Sequence, residues 1–220
     1  CFFGATARNG VALSTLITVG MIPVFAGLVG RVLLHEPIKF SWVIFTTIGI
    51  AGLIIRSWGE INIEDPIGIF MSLGAAAAVA CYMNATKIAL NKGGHPFELP
   101  TIAYVLGALI LSPTVISPAL ENGFVESFRW LFTVHGILIA VFMGVVTMAA
   151  PNWLQISSMK HLSPGPIATL SLADPLTATL LGVFVLNEKF SYEAGVGLLL
   201  VAIAIIGQSW AAKNQKTLLL

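Results

Sequence analysis

Seven stretches of this chain, each close to twenty residues long, carry almost no charge, and the lysines, arginines and acids collect between them. They lie near residues 11–34, 41–58, 66–90, 99–119, 134–158, 164–186 and 192–211. A hydrocarbon core ~30 Å thick is crossed by roughly 20 apolar residues coiled as helix. Helix is the required form, because a backbone N–H or C=O inside lipid finds no water and must be satisfied within its own segment. The chain is therefore read as an all-α integral membrane protein, a polytopic helical bundle. Composition excludes the alternative: 57% of the 220 residues are hydrophobic and 10% charged, against ~25% charged in an ordinary soluble domain. A net charge of +1 with no basic stripe leaves no electrostatic footprint for nucleic acid. Of the two cysteines, Cys1 opens the chain and Cys81 sits in an apolar run, where packing is its expected role, so no disulfide framework is expected.

Residues 1–6 resemble the tail of one more helix and Arg8-Asn9-Gly10 the turn after it, with no initiator Met or signal peptide ahead of them; the chain is expected to begin partway through a larger protein. Tryptophans support the span limits, since an indole prefers the headgroup level: Trp42 and Trp58 bracket one span, Trp130 precedes another, Trp210 ends the last, and Trp153 alone falls inside one. Counting basic residues on alternate sides puts Arg31, Lys39, Lys87, Lys92, Lys160, Lys213 and Lys216 together, 7 against the 4 of Arg8, Arg56, Arg129 and Lys189. The richer side is expected in the cytoplasm, and the C-terminus with it, in a multi-pass protein of the plasma membrane.

Laid over itself with an offset of 152 residues, the chain matches at PVFAGLVGRVLLHE (Pro23 to Glu36) and PLTATLLGVFVLNE (Pro175 to Glu188), identical at 6 of 14 positions. Five spans separate the copies, an odd number, so they point in opposite directions through the membrane. Such inverted repeats are a feature of many secondary transporters. The division expected is residues 1–65 as the end of a first repeat, 66–212 as a complete second repeat of five helices, and 213–220 as a cytoplasmic tail. The parent would be a 5+5 bundle lacking its first two to three helices here, about 86 residues by the same offset.

The pattern P-x-x-A-x-L-x-G-x-x-x-L-x-E, present twice and followed each time by a Gly-rich span, resembles the EamA-like family of the drug/metabolite transporter superfamily over nearly the whole chain. Asp174, just before Pro175, falls where that family often carries an acid in its second half, whereas the matching Ile22 is apolar. The resemblance implies ten helices, cytoplasmic termini, a central cavity between the halves, and movement of small polar or amphipathic metabolites by alternating access.

Asp174 is the one carboxylate placed well inside a span, where a charge costs ~2.5–3.5 kcal/mol on insertion scales. It either lines a cavity or reseats backbone groups freed by Pro175. Asn152 and Gln155 share a helix face, and either bind substrate or tie helices together. Trp153 either stacks on a substrate ring or sits low in the bilayer. Asn84 and Tyr82 are weaker candidates of the same kind. Ser14 and Thr18, one turn apart, either face a cavity or satisfy their own helix's carbonyls. Pro23 and Pro175 mark expected helix breaks, and Glu36 and Glu188, recurring after each copy, either cap a hairpin or gate. The four histidines stand apart, so neither metal nor cofactor is expected. There is no G-x-S-x-G, H-E-x-x-H or G-x-G-D, which argues against an intramembrane enzyme. The expected activity is a secondary carrier, an exporter, coupled to protons or to exchange, whose partners are a small-molecule substrate and the bilayer. The competing reading is a channel or a non-transporting scaffold. Sequence leaves the oligomeric state open.

Overall fold

The computed structural model describes residues 1–58, 65–186 and 191–217, without the side chains of residues 122, 186 and 214–217. Helix is the regular structure throughout, with no strand among the described residues. Among the described residues, six segments are long and apolar enough to cross a membrane: Phe2–Leu33, Pro66–Asn91, Glu98–Glu121, Val134–Met159, Pro164–Val185 and Tyr192–Lys213. The protein is a multi-pass membrane protein. The seventh expected span, α2 (Phe40–Arg56), has 17 residues, ~26 Å at ~1.5 Å per residue, slightly short of a ~30 Å core.

The contacts gather the chain into two compact units, Cys1–Ile88 with His161–Leu220, and Ala89–Lys160. The first unit holds α1 (Phe2–Leu33), α2, most of α3 (Pro66–Asn91), α8 (Pro164–Leu170), α9 (Ala173–Leu186) and α10 (Tyr192–Thr217). The turn expected at Arg8-Asn9-Gly10 is present as a kink inside α1, where Gly10 takes φ 73° and ψ 169°, a conformation glycine adopts without Cβ strain. Asn9, buried at the kink, ties down the start of α3: its Nδ2 donates to the Asp65 carbonyl and its Oδ1 accepts from the Asp65 N–H, both at 2.7 Å. Arg8 pairs with the Asp65 carboxylate, which also accepts from the Ile67 N–H at 2.9 Å.

Packing in this unit depends on small residues, as expected where lipid removes the hydrophobic drive between helices. Helices α2 and α10 meet at Gly52 and Gly197, where a Cβ on Gly52 would stand 2.7 Å from the Gly197 carbonyl oxygen. Ala26 and Gly30 on α1 admit α3 in the same way: Asn84 donates to the Ala26 carbonyl at 3.1 Å, and a Cβ on Gly30 would lie 3.1 Å from Asn84 Oδ1. Trp42 departs from the expected belt. It is buried, 9% exposed, because Gly27 and Gly165 leave room for its ring, whereas Trp58, Trp130 and Trp210 are exposed. Cys81 is exposed as well.

The second unit holds α4 (Glu98–Asn122), the short α5 (Phe124–Phe128), a 3₁₀ turn at Arg129–Phe132, α6 (Val134–Val141), a wide π-type stretch at Phe142–Ala149 and α7 (Ala150–Met159). Its prolines are absorbed rather than broken. Pro113 takes the N–H that would have reached Leu109, and Ser112 Oγ donates to that carbonyl instead at 2.8 Å, a hydroxyl repair common in membrane helices. Both spans of this unit expose apolar side chains along most of their length, Ile110 and Leu138 among them.

Candidate functional site

The expected single span 164–186 is two helices. Pro175 has no N–H, and its ring crowds the carbonyl four residues back, that of Ser171. The chain turns at Ser171-Leu172, the Ser171 carbonyl accepts from the Asp174 N–H at 3.1 Å, and α9 begins afresh at Ala173. Leu172, at the turn, is fully buried with Leu53 and Val201, and Leu16, Val19, Leu176 and Ile205 pack around them. One turn earlier, Thr46 of α2 and Thr169 of α8 join hydroxyls at 2.8 Å.

A cavity of about 320 Å³ opens beside this core, lined by Thr15 and Val19 of α1, Leu53 and Arg56 of α2, and Pro175 and Ala178 of α9. Arg56 is its cation. Its Nε–H donates to Thr179 Oγ1 at 2.7 Å, and that hydroxyl donates to the Pro175 carbonyl at 2.9 Å, so one guanidinium and one hydroxyl hold the first turn of α9 to the end of α2. The α2 C-terminus favours a cation electrostatically. Sequence reasoning passed over Arg56 and Thr179, spending Arg56 on the count of basic residues; the available signal was a charge one turn from a span end with a hydroxyl one turn after a proline.

Asp174 lies in the first turn of α9 and is exposed. The orphan N–H groups of a helix start favour a carboxylate there. Pro175 accompanies a true interruption. Pro23, its counterpart in the repeat, does not: α1 keeps helical dihedrals through it, Gly10 being the position that departs. The expected break at Pro23 is therefore corrected, and the two copies of the motif differ in conformation.

The other expected residues divide between the two units. Thr18 Oγ1 donates to the Ser72 carbonyl at 3.3 Å, tying α1 to α3, while Ser14 Oγ is buried with no partner. Asn84 donates to the carbonyls of Ala26 and Ala80, at 3.1 and 2.9 Å, and is helix glue. Tyr82 is half-buried. Glu36 follows α1, its N–H donating to the Gly30 carbonyl at 3.4 Å. In the second unit, Asn152 donates to the Met148 carbonyl at 3.2 Å, satisfying its own helix, and Gln155 is half-buried. Trp153 stacks on Phe97 with ring centroids 5.9 Å apart and planes 5° apart, and Phe97 stacks in turn on His95 at 5.6 Å. Glu188 lies outside the described residues. No cluster of metal-binding side chains occurs among the described residues.

Residues 66–210 match the EamA-like transporter family. Over 217 residues, 98% of this chain and 70% of the relative, the sequence is 30% identical to "Uncharacterized transporter YwfM" of Bacillus subtilis (strain 168). Proteins named "Uncharacterized transporter" from Clostridium kluyveri and Archaeoglobus fulgidus are 23% and 24% identical, and the chain spans 53% and 66% of their lengths. A solved crystal structure has the same fold, with a TM-score of 0.70 at 18% identity over 97% of this chain and 72% of that one.

Proposed function

Because this chain belongs to the EamA-like transporter family, and is a membrane transporter rather than an enzyme, we propose that it serves as a secondary carrier exporting a small polar or amphipathic solute across the plasma membrane by alternating access. The C-terminus is placed in the cytoplasm and coupling is to protons or to exchange. The observation that carries this reading is the interruption at Ser171-Leu172 beside the cavity holding Arg56. Discontinuous helices at the repeat interface are where secondary transporters bind and move their cargo. A guanidinium in a largely apolar wall suits a solute with an acceptor group at one end and an apolar body.

The difference between the two motif copies supports the same mechanism. In an inverted repeat the halves exchange conformations as access switches, so a straight α1 through Pro23 and a broken α8/α9 at Pro175 describe one of two states. On this reading residues 1–65 end the first repeat, 66–212 form the second and 213–220 are the tail. Asp174 is the proposed coupling or substrate-amine group, and Asn152, Gln155 and Trp153 are secondary candidates.

The test is transport by the full-length protein in everted vesicles, a pH-sensitive dye reporting dissipation of an imposed gradient as L-amino acids, short organic acids and nucleosides are added in turn. Saturable dissipation with trans-stimulation is expected. Flux that rises linearly with solute and shows no trans-stimulation would instead mark a channel. Asp174→Asn keeps shape and hydrogen bonding but removes titration; it should fold normally and lose pH-driven transport. Unchanged uptake with unchanged pH dependence in that variant takes Asp174 off the site.

A further inference from the structure

At the end of the first unit where α1 stops and α2 starts, away from Arg56 and Asp174, lies a separate cavity of about 130 Å³ lined by Glu36, Lys39, Trp42, Ser163, Gly165 and Gln208. Two of these side chains are buried with an unsatisfied polar atom. Gln208 of α10 is 1% exposed and its Oε1 accepts nothing; Trp42 of α2 is 9% exposed and its Nε1–H donates to nothing. Buried polar atoms are paired in the great majority of cases, and here one is an acceptor and the other a donor, on different helices, lining one cavity. Lys39 and Glu36 add an ammonium and a carboxylate to the lining. At ~30 Å³ per water the volume holds about four waters, or one compact solute in their place.

We infer that this cavity is a second ligand site, for a short carboxylate bearing a hydrogen-bond donor, amino or hydroxyl, on the neighbouring carbon. The carboxylate accepts from Trp42 Nε1–H and pairs with Lys39. The adjacent donor supplies Gln208 Oε1, and an ammonium in that position gains Glu36 as well. Such an occupant bridges α2, α10 and the entry to α8. The inference does not depend on the carrier reading, since it concerns equilibrium binding at the opposite end of the unit from the α9 cavity.

The experiment is calorimetric titration of the detergent-solubilised full chain with L-alanine, L-lactate and propionate, which share a carboxylate, only the first two carrying the donor. Saturable binding of alanine or lactate is expected, with propionate roughly tenfold or more weaker, because a site built to bond a donor rejects the analogue lacking it. Trp42→Phe should weaken all three. Gln208→Leu should bring lactate down to the level of propionate, and weaken alanine to what Glu36 still supplies to its ammonium, while leaving propionate unchanged, which also shows that the variant is folded. Should Gln208→Leu not fold, the order of the three ligands on the unaltered chain decides the matter. No saturable binding, propionate equal to lactate, or lactate still preferred over propionate in a folded Gln208→Leu would each overturn the site and leave the cavity to solvent.

Discussion

Asn9 and Asp65 show how much a single pair of side chains can fix in this fold. The Asn9 amide replaces backbone pairing for Asp65, accepting its N–H and donating to its C=O at 2.7 Å, while Gly68 leaves room for the amide. A net hydrogen bond is worth ~0.5–1.5 kcal/mol, more when its loss strands a buried partner. Asn9→Ala should therefore cost about 2 kcal/mol, read as a lower thermal midpoint in detergent, and an unchanged midpoint would reject the clamp. The Arg8 hydrogen bond, and after it the Ile67 N–H, hold the Asp65 carboxyl below its ordinary value of 3.8. A carboxylate with its pKa depressed in the folded state adds stability above that ordinary value and loses it as pH falls through the folded pKa. The stability difference between the unaltered chain and Asp65→Asn should therefore be constant near neutrality and shrink below pH 3.8. Sequence placed Arg8 to Gly10 in a turn but gave no reason for Asn9 to bond a residue 56 positions away, because such a contact follows from packing and not from local pattern.

The helices themselves were legible, being written in charge-free length, but their continuity was not. A proline announces a lost N–H; whether the helix breaks depends on what covers the freed carbonyl. Ser112 repairs the gap at Pro113, α1 runs through Pro23, and ahead of Pro175 the chain gives way at Ser171-Leu172. The same limit applies to the candidate site. Asp174 was visible as a carboxylate in an apolar run, yet its place at a helix start depends on that break. Asn152 and Trp153 looked available from spacing alone and are engaged by Met148 and Phe97. Contact between α2 and α10 yields a prediction at this scale. With the Gly197 oxygen 2.7 Å from a would-be Cβ, Gly52→Ala must push two helices apart, and overpacking of this kind costs ~1–3 kcal/mol. The variant should unfold at lower temperature, whereas Gly74→Ala, with no heavy atom within 4 Å of its Cβ position, should match the parent. Equal midpoints for the two would show that the helices are not in close contact there.

Orientation of the whole molecule rests on a charge asymmetry that helix geometry turns into a sharp expectation. Lys92 and Glu121 are both exposed, and the apolar segment Glu98–Glu121 lies between them, so a membrane crossed by α4 must separate them. Basic residues near span ends remain where they are synthesised, in the cytoplasm; Lys92 belongs to the group of 7 and Arg129, beyond Glu121, to the group of 4. The asymmetry predicts Lys92 inside and Glu121 outside. Single cysteines at these positions, in a background with Cys1 and Cys81 replaced by serine, can be tested in intact cells with a membrane-impermeant maleimide. Glu121→Cys should label at once and Lys92→Cys only after permeabilisation. Labelling of both in intact cells would mean that α4 does not cross. The reverse order would turn the segment over, with Lys92 outside and Glu121 in the cytoplasm, and would overturn the orientation read from the charge asymmetry.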